Sequence, residues 1–172
     1  MAQALRSFNI EQVVPSQPQE DDRQIHTKAP TAFTAAQLAE TQLELNMNAE
    51  AADVLSTVNA GKDAPVVRAL LAVALARQDE IEKARQVAAS ASATSGTDAN
   101  TLYGLARMHA AVGSDDEAIA TLVRFFEAVP PSRLDRMKVR ATSCPDFARI
   151  TLTKAFAVAL ETASKVPESK CS

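Results

Sequence analysis

The chain has 172 residues, enough for one ordinary domain, with no Trp, one Tyr, six Phe, four Gly and 34 Ala. Scarce aromatic, β-branched and turn residues argue against a sandwich, a barrel or a sheet-rich enzyme, whereas abundant alanine favours closely packed helices. A net charge of −3 with 47% hydrophobic residues allows a buried core, and no apolar run reaches the ~18 residues that span a bilayer.

Residues 1–30 form an extended or disordered N-terminal arm: Pro15, Pro18 and Pro30 interrupt a polar stretch without helical periodicity. Its two apolar islands, Phe8-Ile10 and Val13-Val14, suit docking on a partner or on the chain's own domain. From Thr31 onward short helices follow one another. Thr31 or Thr34 caps a helix to about Leu45, and Ala49 to Val58 forms a second. Gly61 closes it, Asp63 caps the next, and Pro65 occupies that helix's first turn, which runs to about Arg77. Ile81 to about Ala93 follows, then a helix capped by Asp98 that reaches Val112. Gly113-Ser114 turns the chain into Asp115 to Val129, and Pro130-Pro131 ends the pair. Helices of about 13 residues joined by turns of two or three are the signature of an α-hairpin array.

The array has a period. A shift of 34 brings Ala118 onto Ala84, Leu105 onto Leu71 and Ala106 onto Ala72. A shift of 33 brings Ala51 onto Ala84, Leu38 onto Leu71 and Ala39 onto Ala72. The large residue fills space between hairpins, and the alanines stand where backbones approach. Leu102, Leu105, Ala106, His109, Gly113, Ala118, Leu122 and Pro130, with the inter-helix string Gly113 to Ile119, resemble a tetratricopeptide repeat. Two weaker units precede it, so the resemblance covers about 100 residues. It implies an all-α fold, a right-handed α-α superhelix of three hairpins over residues 31–131.

After the prolines, Leu134 to Thr142 makes another helix and Cys144 to Ile150 a turn. Thr153 to about Ser164 makes a last amphipathic helix, and residues 166–172 a flexible tail. The string from Pro145 to Leu160 is similar to sequences that close bacterial tetratricopeptide arrays. The resemblance implies a C-terminal cap over residues 132–165, in which Phe147, Phe156 and Leu160 cover the last hairpin.

Charge is uneven. Residues 37–132 carry seven basic and thirteen acidic side chains, residues 133–172 eight and four. The acidic middle argues against nucleic-acid binding, which needs a basic stripe. The basic end (Arg133, Arg136, Lys138, Arg140, Arg149, Lys154) suits a solvated face or an acidic partner. Cys144 and Cys171 lack metal-ligand spacing and read as free thiols of a reducing compartment. The start has no apolar secretory segment, so a cytoplasmic location is expected, or a periplasmic one had a signal been removed.

No metal or cofactor is expected. His26 lies in the polar arm, and His109 has no ligand-type residue at helical spacing. The run Asp115-Asp116-Glu117 is explained by the dipole at a helix start. The chain has no phosphate-loop, dinucleotide, nucleophile-elbow or zinc-protease motif, and Cys144 has no identifiable base. A non-catalytic scaffold or adaptor is therefore expected. The resemblance implies a concave groove lined by Phe33, Ala36, Glu40, Leu43 and Glu44; by Val66, Ala69, Val73, Ala76 and Arg77; and by Asn100, Tyr103, Arg107, Ala110 and Ala111. Lys138 adds a further cation. Of the residues by which some family members clamp chaperone tails, only Asn100 and Arg107 have counterparts, so chaperone binding is not implied. Such a groove suits a helix or extended polypeptide with a few acidic groups. Tyr103 and Arg107, one turn apart, are of the types that dominate interfaces. The alternative is a structural subunit contacting its neighbours through the arm and the convex face.

Overall fold

The computed structural model describes residues 31–58, 64–94 and 98–167. The arm with Phe8, Ile10, Val13 and Val14, the Gly61 and Asp63 turn, and Cys171 lie outside the described residues. Within them the chain is helical, without a strand. The helices are α1 (Ala32–Glu44), α2 (Asn48–Thr57), α3 (Pro65–Arg77), α4 (Ile81–Thr94), α5 (Ala99–Ala111), α6 (Asp115–Ala128), α7 (Pro131–Ser143) and α8 (Lys154–Leu160). A 3-10 turn, Pro145–Phe147, lies between the last two.

Local chemistry sets the boundaries. The Thr34 amide donates to the Thr31 hydroxyl at 3.2 Å, and the Thr101 amide to the Asp98 carboxylate at 3.0 Å, capping α1 and α5. Thr153 caps α8 in the same way, accepting from the Phe156 amide at 3.1 Å. Pro65 and Pro131 stand in the first turns of α3 and α7, where no intrahelical amide is needed. Turns after α1, α3 and α5 close through positive φ at Asn46 (59°), Asp79 (64°) and Gly113 (84°). Only the last is a glycine; Asn and Asp are the residues that bear this conformation at least cost.

Three boundaries differ from the sequence expectation. Ala64, not Asp63, is the residue at the α3 N-cap, and its side chain offers no cap. Helix α7 begins at Pro131 rather than Leu134, because a proline can start a helix that it cannot continue. Helix α8 ends at Leu160 rather than near Ser164. There the Ser164 hydroxyl donates to the Val129 carbonyl at 2.6 Å, and the Lys165 amide to the Glu127 carbonyl at 2.8 Å. These bonds draw the chain back along the end of α6.

Neighbouring helices pair as α1·α2, α3·α4 and α5·α6, and α3 packs on both α1 and α5. The alanines picked out by the period (Ala39, Ala51, Ala72, Ala84, Ala106, Ala118) are all 0% exposed. Each sits where another side chain would hold the helices apart. Gly104 serves the same purpose: a Cβ built on it would lie 2.8 Å from the Ala69 Cβ. This makes it the tightest point of the α3–α5 seam among the described glycines. Leu38 behaves differently from its period mates. It is 37% exposed, because no described helix packs on that side of α1.

The core has two parts. One joins α1 to α4 and takes in Leu105 and Met108 of α5. The other joins the opposite side of α5 to α6, the 3-10 turn and α8 through Leu122, Phe125, Phe126, Phe147, Ile150 and Phe156. Phe147 and Phe156 are buried as a cap requires, and Leu160 is half-buried at its edge. Helix α7 is the exception in packing. Its one fully buried residue is Ala141, which with Leu134 and Met137 packs on the second part, and most of its length lies in solvent.

Candidate functional site

Helices α3 and α5 each bring an arginine to their shared face, and the 3-10 turn brings one carboxylate between them. Arg77 donates to Asp146 from Nε at 2.8 Å and Nη2 at 3.0 Å, a two-pronged pairing that only a guanidinium makes. Its Nη1 donates to the Leu43 carbonyl at 2.6 Å and to Asn48 Oδ1 at 3.4 Å, so one side chain ties α1 to α3 and to the turn. Arg107 donates from Nε to the second Asp146 oxygen at 2.7 Å. The three side chains are 11%, 5% and 4% exposed for Arg77, Asp146 and Arg107.

Burial sets the electrostatics here. Desolvation alone would raise the Asp146 pKa, but the Arg77 hydrogen bonds and the Arg107 charge outweigh it and hold the carboxyl below its usual range. Burial would likewise lower Arg107, and Asp146 more than compensates, raising it. The Tyr103 hydroxyl is pushed far above its ordinary value, first by burial and then by the neighbouring Cys144. All three groups therefore keep the charge they carry at neutral pH.

Tyr103 is enclosed by rings and cations. It packs on Phe125 at 5.0 Å between centroids and edge-on to Phe147 at 5.9 Å. The Arg140 guanidinium lies 5.0 Å from its ring centre, and Arg107 lies 5.9 Å away. Arg140, on α7, also reaches α1, with Nη2 3.3 Å from Glu40 and 3.7 Å from Glu44. Beneath this crossing is a cavity of about 230 Å³, lined by Glu44, Arg77, Tyr103, Arg107 and Arg140, with Ser143, Cys144 and Pro145 at its rim.

The residues expected to line an open groove are therefore distributed differently. Leu43 and Val73 are core residues at 0% exposure, and Tyr103 and Arg107 are covered by the chain's own C-terminal segment. Ala69, Ala76 and Ala110 are buried as well. Phe33 at 70% exposure, Asn100 and the half-buried Glu40 still face outward, whereas Arg77 is turned in to Asp146 with 11% of its side chain exposed. Lys138 sits on α7 two residues from Arg140, so it points away from the cavity. The cation that completes the site is Arg140. Asp146 and Arg140 are the members of this cluster that sequence reasoning did not single out; the available signal was an acid in a Pro-Asp-Phe turn following a basic helix.

His109 lies apart from this cluster, half-buried in a second cavity of about 250 Å³ between α4 and α5, with Arg85, Ser92 and Glu117. Burial lowers its pKa, and Glu117 offsets part of that. Among the described residues no group of three His, Cys, Asp or Glu side chains could hold a metal ion. No described helix is long and apolar enough to cross a membrane. No protein-family model, curated protein or solved structure matches the chain.

Proposed function

We propose that the chain is a non-catalytic scaffold that holds a partner polypeptide against the face made by α1, α3 and α5. In this reading the hairpins form a right-handed superhelix of the tetratricopeptide kind, and that face is its concave side. One observation carries the reading. Cationic and aromatic side chains from two helices, α3 and α5, converge on one face, where they already grip a short polypeptide turn, Asp146-Phe147. A surface that recognises a carboxylate and a ring in its own chain has the donors and apolar area to recognise them in another. The period and the lack of reactive motifs point the same way.

Site-specific photo-crosslinking tests this. A photoreactive residue at Phe33 or Glu40, on the inner face, is expected to trap a discrete partner, and one at the exposed outer position Arg85 is expected to trap none. Crosslinks confined to Arg85 overturn the assignment. A second reading has its own observation: Leu38, Leu45 and Met47 are 37%, 65% and 39% exposed. In it the chain is a structural subunit that assembles through the arm and its outer surfaces. Deleting residues 1–30 separates the two, abolishing assembly only under the second.

A further inference from the structure

We infer that the cavity under α7 is a receptor for a single acidic side chain of the bound partner; this rests on the inner-face reading above and names the partner's chemistry. The lining is rich in donors. Three guanidiniums (Arg77, Arg107, Arg140) surround a space in which Glu44 is the one lining carboxylate, while the Ser143 hydroxyl at its edge donates to the Val139 and Arg140 carbonyls. Asp146 neutralises part of this from behind by engaging Arg77 and Arg107. Arg140 is less committed. Its partners Glu40 and Glu44 stand at 3.3 and 3.7 Å, and the Glu44 side chain is 66% exposed. A pair that open is worth at most about 1 kcal/mol, so an incoming carboxylate displaces Glu44 at small cost.

Size fits the same conclusion. A volume of about 230 Å³ accommodates one acidic residue and a little of its backbone, and is too small for a folded element. The site also needs α7. The hairpins supply Glu44, Arg77, Tyr103 and Arg107, whereas Arg140 and Ser143 arrive only when α7 crosses from α6 toward α1. Helix α7 is thus a strap that completes the receptor, and its long exposed surface leaves the entrance beside it open.

The test uses the full chain and a fluorescein-labelled hexaglutamate peptide followed by anisotropy, with glutarate as competitor. The wild type is expected to bind the peptide, and Arg140→Gln to weaken it by about tenfold, the scale of one charge-assisted hydrogen bond. Arg136→Gln, the same charge change at an exposed position of α7, is expected to bind as wild type does. Glu44→Gln removes the competing carboxylate and is expected to tighten binding by about two- to threefold, a gain that a folding defect does not produce. Absence of wild-type binding, or equal loss in Arg140→Gln and Arg136→Gln, overturns the inference. Glutarate binding at Arg140 without peptide binding also overturns it, by showing a site for a free small acid. The two readings fail separately. If the peptide results are negative and crosslinks still form at Phe33, the inner-face reading stands without this receptor. If Phe33 gives none, that reading falls whatever the peptide does.

Discussion

Asp146 accepts from Arg77 Nε at 2.8 Å across 69 residues of sequence, and from Arg107 Nε at 2.7 Å across 39. One buried carboxylate thus fixes the C-terminal turn against α3 and α5. Removing its charge leaves two guanidiniums in a nearly dry site. Asp146→Asn is expected to lower unfolding stability by about 3 kcal/mol or more, as for other broken buried pairs. Asp115→Asn provides the contrast. Its partner Arg149 lies at 2.5 Å, but the two side chains are 41% and 57% exposed, so the loss is expected to stay below about 1 kcal/mol. Urea unfolding of both variants checks the difference, and equal losses contradict the burial argument.

The same carboxylate makes stability depend on acid. Its folded pKa lies below the ordinary value, so the unfolded chain binds more protons as the pH drops. The stabilisation is fully present above the unfolded value, about 4, and is lost as the pH falls through the folded one. Urea midpoints measured downward from pH 5 are expected to fall steeply in the wild type and more gently in Asp146→Asn. Parallel curves contradict this.

His109 adds a second, separate slope. Burial keeps it neutral, so its folded pKa is also lowered, and the unfolded chain takes up a proton first below about pH 6.5. Stability is expected to decline from that pH downward until the folded value is passed. His109→Gln is expected to flatten the decline between neutrality and pH 5, a region where Asp146 contributes nothing. Thermal midpoints across that range check it.

At the α3–α5 seam, helix propensity and packing make opposite predictions. Replacing Gly104 by Ala gains about 1 kcal/mol of propensity in a helix interior. The added methyl, however, meets the Ala69 Cβ at 2.8 Å with helix backbone behind it. Overpacking of that kind costs about 1–3 kcal/mol, so Gly104→Ala is expected to be neutral at best and destabilising by up to about 2 kcal/mol. Ala69→Gly in the same chain relieves the clash but gives up the same propensity at position 69, so the double variant is expected to lie close to the wild type. Thermal unfolding of the single and double variants decides between them.

Much of the scaffold was legible because it is local or periodic. Thr31, Asp98 and Thr153 announce helix starts by residues whose side chains accept from an amide two or three positions on. Ala72, Ala106 and Ala118 are legible because close helix packing repeats with the hairpin. The covering of α3 and α5 by the C-terminal segment was not. Asp146 and Arg77 meet by tertiary placement of α7 and the 3-10 turn, and no period or propensity records a pairing 69 residues apart. Tyr103 and Arg107, one turn apart, were expected to face a partner in an open groove. The surface they meet is the chain's own, because the cap folds over α5 and buries them. Arg140 passed for one of several surface cations, since only its reach to Glu40 and to the Tyr103 ring distinguishes it.

The most direct test of the account is amide chemical-shift mapping of the isotope-labelled full chain titrated with the hexaglutamate peptide. The account predicts saturable shifts that cluster at Glu44, Tyr103, Arg107 and Arg140 and that need about tenfold more peptide in Arg140→Gln. Shifts confined to α2, α4 and α6, or scattered over the basic surface and unchanged in that variant, would contradict it.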